Sequence, residues 1–234
     1  MLVSGRNNVK EILKNFKGNL EIKSLICQNN YNEQDVLSLA KNRKIPIYNK
    51  EKRELDHIAK NNHQGVVLEI SDFNYTSLDD LLGKERSFLL ILDHLEDPHN
   101  LGAIVRTCEA AGVDGIILPE NRSVSVNETV MKTSVGTLYN VKISQVVNLS
   151  NTIKKLKNDG YWIYGTDMDG EDYKEVKYPP KVAIVIGNEG NGLSRIVRES
   201  CDGIVKIPMY GKVNSLNASV ASAIIIYEAV RQKR

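Results

Sequence analysis

The sequence is poor in the residues that build metal sites and disulfide frameworks. Its three cysteines, Cys27, Cys108 and Cys201, lie far apart and form no CxxC pair, and its four histidines show neither HxxxH nor HExxH spacing. An odd, dispersed set of cysteines argues against a disulfide framework and against a zinc ribbon. We therefore expect no metal, and we expect the cysteines to be small buried side chains.

Long apolar runs are also absent from the sequence. No stretch of the 234 residues reaches the length that spans a bilayer, and the N-terminus, MLVSGRNNVKEILK, lacks the apolar core of a secretory signal. These features predict a cytoplasmic protein with no membrane partner. Since 41% of its residues are hydrophobic, the chain can bury the core of one large domain or of two small ones.

The signatures of several common enzyme classes are missing as well. No GK[ST] supplies the lysine and hydroxyl of a phosphate-binding loop, and Gly187, Gly190 and Gly192 do not have the G-x-G-x-x-G spacing. Neither a Ser, His, Asp order nor a pair of carboxylates stands out along the chain. An NAD-binding protein and a hydrolase are therefore disfavoured.

The N-terminal part of the chain has the pattern of a small α/β module. Val9, Ile12 and Leu13 recur at helical spacing and predict an amphipathic helix over Val3–Phe16. Residues 1–71 hold 12 Lys and Arg against 8 Asp and Glu, an asymmetry that indicates an anionic partner. The further predicted elements are strands over Ile22–Cys27, Pro46–Tyr48 and Gly65–Ile70 and helices over Asn32–Asn42 and Lys50–Ala59.

From residue 87 onward, short apolar strands alternate with helices. This order predicts a mostly parallel sheet with helices on both faces. Residues 72–86 are polar and are predicted to be a linker, so the expected domains are residues 1–71 and 87–234. The predicted strands are Phe88–Leu92, Gly115–Leu118, Val141–Val147, Tyr161–Thr166, Val182–Ile186 and Gly203–Ile207, and the predicted helices are Leu101–Ala111, Val126–Val135, Ser150–Asn158, Ser194–Cys201 and a last helix ending near Arg231.

Polar stretches follow three strands of this sheet, at the positions where open α/β sheets bind ligands. In the first, LDHLEDPHNLGAIVR, a strand ends at Leu92 and a helix follows, with Leu101, Ile104 and Val105 on its buried stripe. Arg106 lies off that stripe, roughly 140° around the helix from Leu101. It is placed either to bind a phosphate or a carboxylate or to form a surface pair with Glu109.

The other two stretches combine glycines with polar side chains. Ile184–Arg195, IVIGNEGNGLSR, breaks from a strand into a turn whose glycines allow close backbone approach to a ligand, although a plain turn is the alternative. Ile207–Tyr227 leads from a strand into a long helix of small residues, for which Asn214 and Ser215 are good N-cap residues. Those small residues allow close approach of a ligand or of a second helix.

Together, the segments NLGAIVR, IGNEGNGLS and IPMYGKVNSLNASVA resemble the three motifs of the SpoU family of RNA 2′-O-ribose methyltransferases, in the same order. The resemblance covers residues 86–234. The N-terminal module, which opens with GRNNVKEIL, is similar to the small ribosomal-protein-like RNA-binding domain of the bacterial branch that methylates a guanosine of large-subunit (23S) rRNA.

The resemblance implies an enzyme that uses S-adenosylmethionine. It also implies that the small α/β RNA-binding domain is followed by a SPOUT-type α/β domain, which contains a deep trefoil knot and forms a homodimer. The implied catalytic residues are Asn100, Arg106, Glu189, Ser215 and Asn217, and the positions implied to hold the cofactor through backbone groups are Thr166, Gly187, Ile207 and Leu216.

The expected reaction is methyl transfer to the ribose 2′-hydroxyl of a guanosine in large-subunit rRNA. Within the basic cluster between Lys41 and Arg53, we expect Lys50, Lys52 and Arg53 to contact RNA phosphate. The alternative substrates are a tRNA and an rRNA adenosine of the antibiotic-resistance type. A non-catalytic RNA-binding factor for ribosome assembly is a further alternative, which the intact set of motif residues disfavours.

Overall fold

The computed structural model describes residues 1–15, 21–59 and 62–233, which form two compact units. Unit 1 comprises Met1–Asn74 and Val126–Asn140, and unit 2 comprises Tyr75–Ser125 and Val141–Arg234. In chain order, the strands and α-helices are β1 (Leu2–Ser4), α1 (Arg6–Asn15), β2 (Ile22–Gln28), α2 (Gln34–Asn42), β3 (Ile47–Lys50), α3 (Lys52–Ile58), β4 (Val66–Ile70), β5 (Ser87–Leu92), α4 (Pro98–Ala111), β6 (Gly115–Pro119), α5 (Glu128–Thr133), β7 (Ile143–Val146), α6 (Leu149–Asn158), β8 (Trp162–Asp172), β9 (Lys181–Ile186), α7 (Arg195–Glu199), β10 (Gly203–Lys206) and α8 (Ala218–Lys233).

Unit 1 contains a four-stranded sheet in the order β1-β4-β2-β3. Strands β2 and β3 are parallel, and the other two pairs are antiparallel. Helix α1 buries Val9, Ile12 and Leu13, the stripe that its sequence predicts. The strands and helices predicted between residues 22 and 70 are confirmed, with ends that differ by a few residues.

The first predicted helix begins too early. Leu2–Ser4 is a strand that pairs with β4, where Leu2 lies opposite Glu69, and α1 begins only at Arg6. Gly5 separates the strand from the helix because its φ of 95° is a left-handed value that glycine adopts without strain. Phe16, the predicted end of this helix, lies outside the described residues.

Helix α5 belongs to unit 1, although it lies between β6 and β7 in the chain. The Ser4 hydroxyl of β1 donates a hydrogen bond of 3.5 Å to Glu128 at the start of α5. The rings of Phe73 and Tyr139 lie 5.9 Å apart. The helix expected near residues 126–135 is thus confirmed, but its contacts lie with the N-terminal module. The linear boundaries at residues 71 and 87 stay predictions.

Unit 2 contains a six-stranded sheet in the order β10-β8-β9-β5-β6-β7, and each of the registered pairs is parallel. The central strand β5 is buried over its whole length, as expected for a parallel sheet covered on both faces. The predicted α/β class with its mostly parallel sheet is confirmed. Because Leu92 pairs with Ile186, the polar stretches after β5 and β9 leave the sheet side by side.

Strand β8 is longer than predicted and carries an insertion. Its register against β10 jumps from Gly165, opposite Ile204, to Glu171, opposite Val205, so residues 166–170 have no counterpart on β10. A glycine in tight surroundings lies at each end of the insertion: Gly165 directly precedes it, and Gly170 is its last residue. A Cβ on Gly165 would lie 2.6 Å from a Leu193 methyl group, and one on Gly170 would lie 2.6 Å from the Ile204 carbonyl.

After β10, at the edge of the sheet, the chain returns towards its centre. Helix α8 packs against α4, the helix that follows the central strand β5. The trefoil knot expected from the resemblance requires such a return. Among the residues that the structure describes, no helix combines the length and the apolar character needed to cross a membrane.

Candidate active site

A chain of hydrogen bonds joins the three polar stretches at the carboxyl edge of the unit 2 sheet. Asn100, in the first turn of α4, donates its Nδ2 to the Glu189 carboxylate. Its Oδ1 accepts a bond of 2.9 Å from Nδ2 of Asn217. Asn100 is buried, and its partners lie 89 and 117 residues away in sequence. The fold therefore brings together three of the five residues predicted to be catalytic.

Asn217 also starts helix α8. Its Oδ1 accepts the Ser219 N–H at 2.9 Å and the Ser219 hydroxyl at 2.6 Å, which is the bonding of an N-cap. The expectation that Asn214 or Ser215 caps this helix is wrong, because α8 begins at Ala218. Since the helix end occupies Oδ1 of Asn217, the Nδ2 group of the same side chain is left to face Asn100.

The glycine-rich loop after β9 folds tightly on itself. Asn188 and Gly192 exchange two main-chain hydrogen bonds of 2.9 Å. Gly187 has no room for a side chain, since a Cβ there would lie 2.4 Å from the Gly192 carbonyl carbon. The Asn188 side chain donates to the His94 carbonyl at 2.8 Å and accepts from the Gly190 N–H at 2.9 Å. The loop is therefore held in one conformation by its own backbone and by the end of β5.

Asp93 is a buried carboxylate that the sequence analysis did not select. It is 1% exposed, accepts the Ser194 N–H at 2.7 Å and bonds Nδ1 of His94 at 2.6 Å. Because Ser194 is the N-cap residue of α7, Asp93 fastens the far end of the glycine-rich loop to β5. Its only signal in the sequence is its position directly after the apolar run FLLIL, since a carboxylate that is buried there needs hydrogen-bond partners.

Arg106 projects from α4 towards solvent, as predicted. Its guanidinium forms no hydrogen bond or ion pair with any residue of the described chain, Glu109 included. Arg106 lies six positions after Asn100, roughly 240° around the helix and therefore on another face. Ser215 is exposed in the loop before α8. Within the described residues, these two predicted catalytic side chains stay outside the hydrogen-bonded chain.

The four positions expected to hold the cofactor are half-buried at the same edge. Thr166 follows the last residue of β8 that pairs with β9, Gly187 follows β9 itself, and Ile207 follows β10. These strands are neighbours in the sheet. Leu216 precedes Asn217 and so reaches the edge with it. The arrangement presents main-chain groups of four segments around one part of the sheet.

The cysteines are not placed for chemistry. Cys27 and Cys108 are buried and Cys201 is half-buried, all as free thiols. Burial raises the pKa of Cys27 to about 11 and the pKa of Cys201 to about 12, so these thiols are protonated at neutral pH. Within residues 1–15, 21–59 and 62–233, no group of three or more His, Cys, Asp or Glu side chains is arranged to hold a metal ion.

The basic cluster of unit 1 is divided between the two ends of strand β3. One group lies in and directly after the last turn of α2, where positive charge complements the helix dipole. The other group runs from the last residue of β3 into the first turn of α3 and contains the residues predicted to bind RNA. The first group is Lys41, Arg43 and Lys44, and the second is Lys50, Lys52 and Arg53.

Comparison with known proteins places both units. Residues 87–227 match the SpoU rRNA Methylase family, and residues 2–76 match the RNA 2′-O ribose methyltransferase substrate binding family. A Staphylococcus saprophyticus protein assigned to the TrmH family of tRNA/rRNA methyltransferases is 42% identical over 241 residues, which span 100% of this chain and 96% of the relative.

Two solved structures share the fold over nearly the whole chain. An rRNA methyltransferase from Sinorhizobium meliloti with bound AdoMet is 26% identical, with a TM-score of 0.81 over 98% of this chain and 86% of that one. The SpoU methyltransferase AviRb from Streptomyces viridochromogenes is 24% identical, with a TM-score of 0.83 over 99% and 89% of the two chains. The second likeness concerns the fold alone.

Proposed function

Because the chain belongs to the SpoU family of RNA methyltransferases, we propose that it methylates the ribose 2′-hydroxyl of a guanosine in 23S rRNA. Family membership makes it an RNA 2′-O-ribose methyltransferase whose cofactor is S-adenosylmethionine. The guanosine and the rRNA are our proposal, supported by the N-terminal module over residues 2–76. The observation that carries the catalytic part is the hydrogen-bonded chain from Glu189 through Asn100 to Asn217.

The carboxyl edge of the sheet suits this cofactor. S-adenosylmethionine, when bound, supplies an electrophilic methyl group on a positively charged sulfonium. The negative charge of Glu189 at the edge favours a cation there. The half-buried backbone at Thr166, Gly187, Ile207 and Leu216 would hold the rest of the molecule, and the tight turn at Gly187 lets main-chain groups approach closely.

Arg106 is proposed to bind the RNA phosphate beside the target ribose. Its guanidinium is exposed and has no partner among the described residues, so it is available to an incoming anion. A guanidinium binds phosphate bidentately and is a very poor base. Its role is therefore to fix the 2′-hydroxyl in line with the methyl group, while the proton passes to phosphate or to water.

Asn100, Glu189 and Asn217 are proposed to hold this arrangement in place. Two of their hydrogen bonds run between different segments of the polypeptide, so displacing one side chain disturbs the others. Glu189 sits at the tip of a loop that Asn188 and Asp93 hold rigid. Ser215, exposed in the adjoining loop, is proposed to contact the RNA.

A homodimer through unit 2 is proposed on the exposed apolar side chains of its C-terminal segment. Tyr210 is 93% exposed, and Val213, Val220 and Tyr227 are each about half exposed or more. Large apolar side chains grouped in one short segment favour burial against a second surface. A second copy of the same chain is the partner that the family resemblance implies. Analytical ultracentrifugation tests this directly, and a monomer at micromolar concentration would contradict it.

The test of the proposed function measures methyl transfer from labelled S-adenosylmethionine to protein-free 23S rRNA and to tRNA. We expect one 2′-O-methylguanosine in the rRNA, mapped by its resistance to alkaline cleavage. Arg106→Ala should slow its formation strongly, whereas Arg122→Ala, which removes another exposed arginine of unit 2, should not. Methylation of tRNA alone would reassign the substrate, and an adenosine product would reassign the base. Cofactor binding with no transfer to either RNA would favour the binding-protein alternative.

A further inference from the structure

The insertion in β8 is clamped at its centre by a single arginine. Arg198, in α7, donates from Nη2 to both carboxylate oxygens of Asp169 at 2.9 and 2.8 Å. Its Nη1 donates to the carboxylate of Asp167. Met168, between the two aspartates, is 65% exposed. The Arg198 guanidinium thus binds the insertion on both sides of Met168.

The ends of the insertion are held by strand pairing, because Gly165 pairs with Ile204 and Glu171 pairs with Val205. Gly165 and Gly170 are packed so closely against neighbouring groups that neither has room for a Cβ. Between these two anchors, residues 166–169 have no strand partner on β10. The Arg198 clamp therefore restrains the only part of the insertion that the described sheet pairing leaves open.

Helix α7 connects this clamp to the glycine-rich loop. The loop runs directly into α7, whose N-cap residue Ser194 is bonded to the buried Asp93. The helix is only five residues long, so Arg198 lies within about one turn of that fixed start. Because α7 is short and its start is fixed, it sets the position of the β8 insertion relative to the glycine-rich loop.

We propose that Arg198 is a positioning residue for cofactor binding, which holds the β8 insertion so that the main chain at Thr166 faces the carboxyl edge next to Gly187. The inference rests on the proposed function, because Thr166 and Gly187 are cofactor positions only within it. Arg198 itself does not contact the cofactor in this scheme. It acts through Asp167 and Asp169.

The clamp is better suited to local order than to global stability. Arg198 is 33% exposed and Asp169 is 68% exposed, so water and salt screen their attraction. Pairs of this kind contribute little to the free energy of unfolding. A variant that lacks the clamp should therefore fold, with the insertion free to move.

The decisive variants are Arg198→Ala, Arg198→Lys and Arg195→Ala. Arg195 is the matched control, since it lies on the same helix, is 83% exposed and forms its ion pair within that helix, with Glu199. We expect Arg198→Ala to raise the Kd for S-adenosylmethionine roughly tenfold in calorimetric titration. The reason is that residues 166–170 then become ordered only when the cofactor binds, and the conformational entropy that they lose weakens binding. Arg198→Lys should recover part of the affinity, and Arg195→Ala should bind like the wild type.

Two further readouts separate positioning from a general structural role. In the protein without cofactor, hydrogen exchange of residues 166–170 should be faster in Arg198→Ala and unchanged in Arg195→Ala. In steady state, KM for the cofactor should rise while kcat stays within about twofold. The double variant Asp167→Asn, Asp169→Asn should reproduce the effects of Arg198→Ala.

The possible failures are distinguishable. Wild-type affinity and wild-type exchange in Arg198→Ala would overturn the positioning role while leaving the proposed function intact. A lower kcat together with a lower melting temperature in Arg198→Ala would also overturn the positioning role, because that pattern indicates damage to the fold. A wild-type protein that does not bind S-adenosylmethionine would overturn the proposed function, and this inference with it.

Discussion

The predicted catalytic edge of unit 2 and the predicted RNA surface of unit 1 hold their functional side chains in different ways. At the edge, Asn100 is buried and bonded to partners from two distant segments. On the surface, Lys52 and Arg53 are exposed at the start of α3, and Lys50, the last residue of β3, forms an ion pair of 3.1 Å with Glu54. The predicted catalytic edge therefore relies on fixed geometry, and the predicted RNA surface relies on screened charge.

This difference sets the size of the effects that substitutions should have. A side chain held by several partners transmits any change to all of them, so single substitutions should have large effects. Exposed charges act nearly independently and through water, so only grouped substitutions should be measurable. Arg106 combines both features, because it is exposed but stands at a fixed point of α4.

The largest effect is expected at Arg106. Arg106→Ala should lower kcat for methyl transfer on the order of a hundredfold to a thousandfold, because the phosphate that orients the ribose loses its partner. Cofactor affinity should stay at the wild-type value, since no hydrogen bond or ion pair within the described chain joins Arg106 to the proposed cofactor positions. Single-turnover transfer and calorimetric titration measure the two quantities, and a parallel loss of cofactor affinity would contradict the assignment.

The next largest effect is expected in the glycine-rich loop. Gly187→Ala places a Cβ 2.4 Å from the backbone of Gly192 and should cost about 1–3 kcal/mol of stability together with most of the cofactor affinity. Gly190→Ala is the matched control, because the nearest atom to a Cβ there is 3.6 Å away. Chemical denaturation and cofactor titration check both variants. Equal behaviour of the two would show that the loop is not held as described.

A smaller effect is expected from opening the hydrogen-bonded chain. Asn100→Ala leaves the Glu189 and Asn217 side chains without their shared partner, which should cost about 1–3 kcal/mol in stability and lower kcat by roughly tenfold. Asn191→Ala removes an exposed asparagine amide from the neighbouring loop and serves as the control. Thermal unfolding and initial rates distinguish them. A wild-type rate in Asn100→Ala would show that the hydrogen bonds from Glu189 through Asn100 to Asn217 have only a structural role.

The smallest effect is expected on the surface of unit 1. Replacing Lys50, Lys52 and Arg53 by alanine should weaken RNA binding and flatten the dependence of log K on log salt, because fewer counterions are released. The same substitutions at Lys41, Arg43 and Lys44 remove the same number of charges from the other end of β3 and should change the slope less. Binding measured over a range of salt concentrations decides between the two ends. A larger change in the second triple would move the RNA surface there.

Local patterns were enough to predict most of the fold, whereas the residues of the candidate site stay a prediction. The buried stripe of α4, with Leu101, Ile104 and Val105, and the buried β5 were both predicted from hydrophobic spacing. The residues of the three motifs were predicted from the family resemblance. Asp93 was not, because a single acidic residue after a strand becomes informative only when its partner, the Ser194 N–H, is seen.

The sequence by itself determined the alternation of strands and helices and the parallel sheet, since these follow from periodicity. The chemistry expected of Asn100, Arg106 and Glu189 is what the family resemblance implies. Only the tertiary structure decided that α5 packs with unit 1, that β8 contains an insertion clamped by Arg198, and that β3 divides the basic cluster. The physical reason is the sequence separation over which each kind of interaction acts. Periodicity reports burial over a few residues, whereas strand register and hydrogen bonds that span 89 or 117 residues depend on the whole chain having folded.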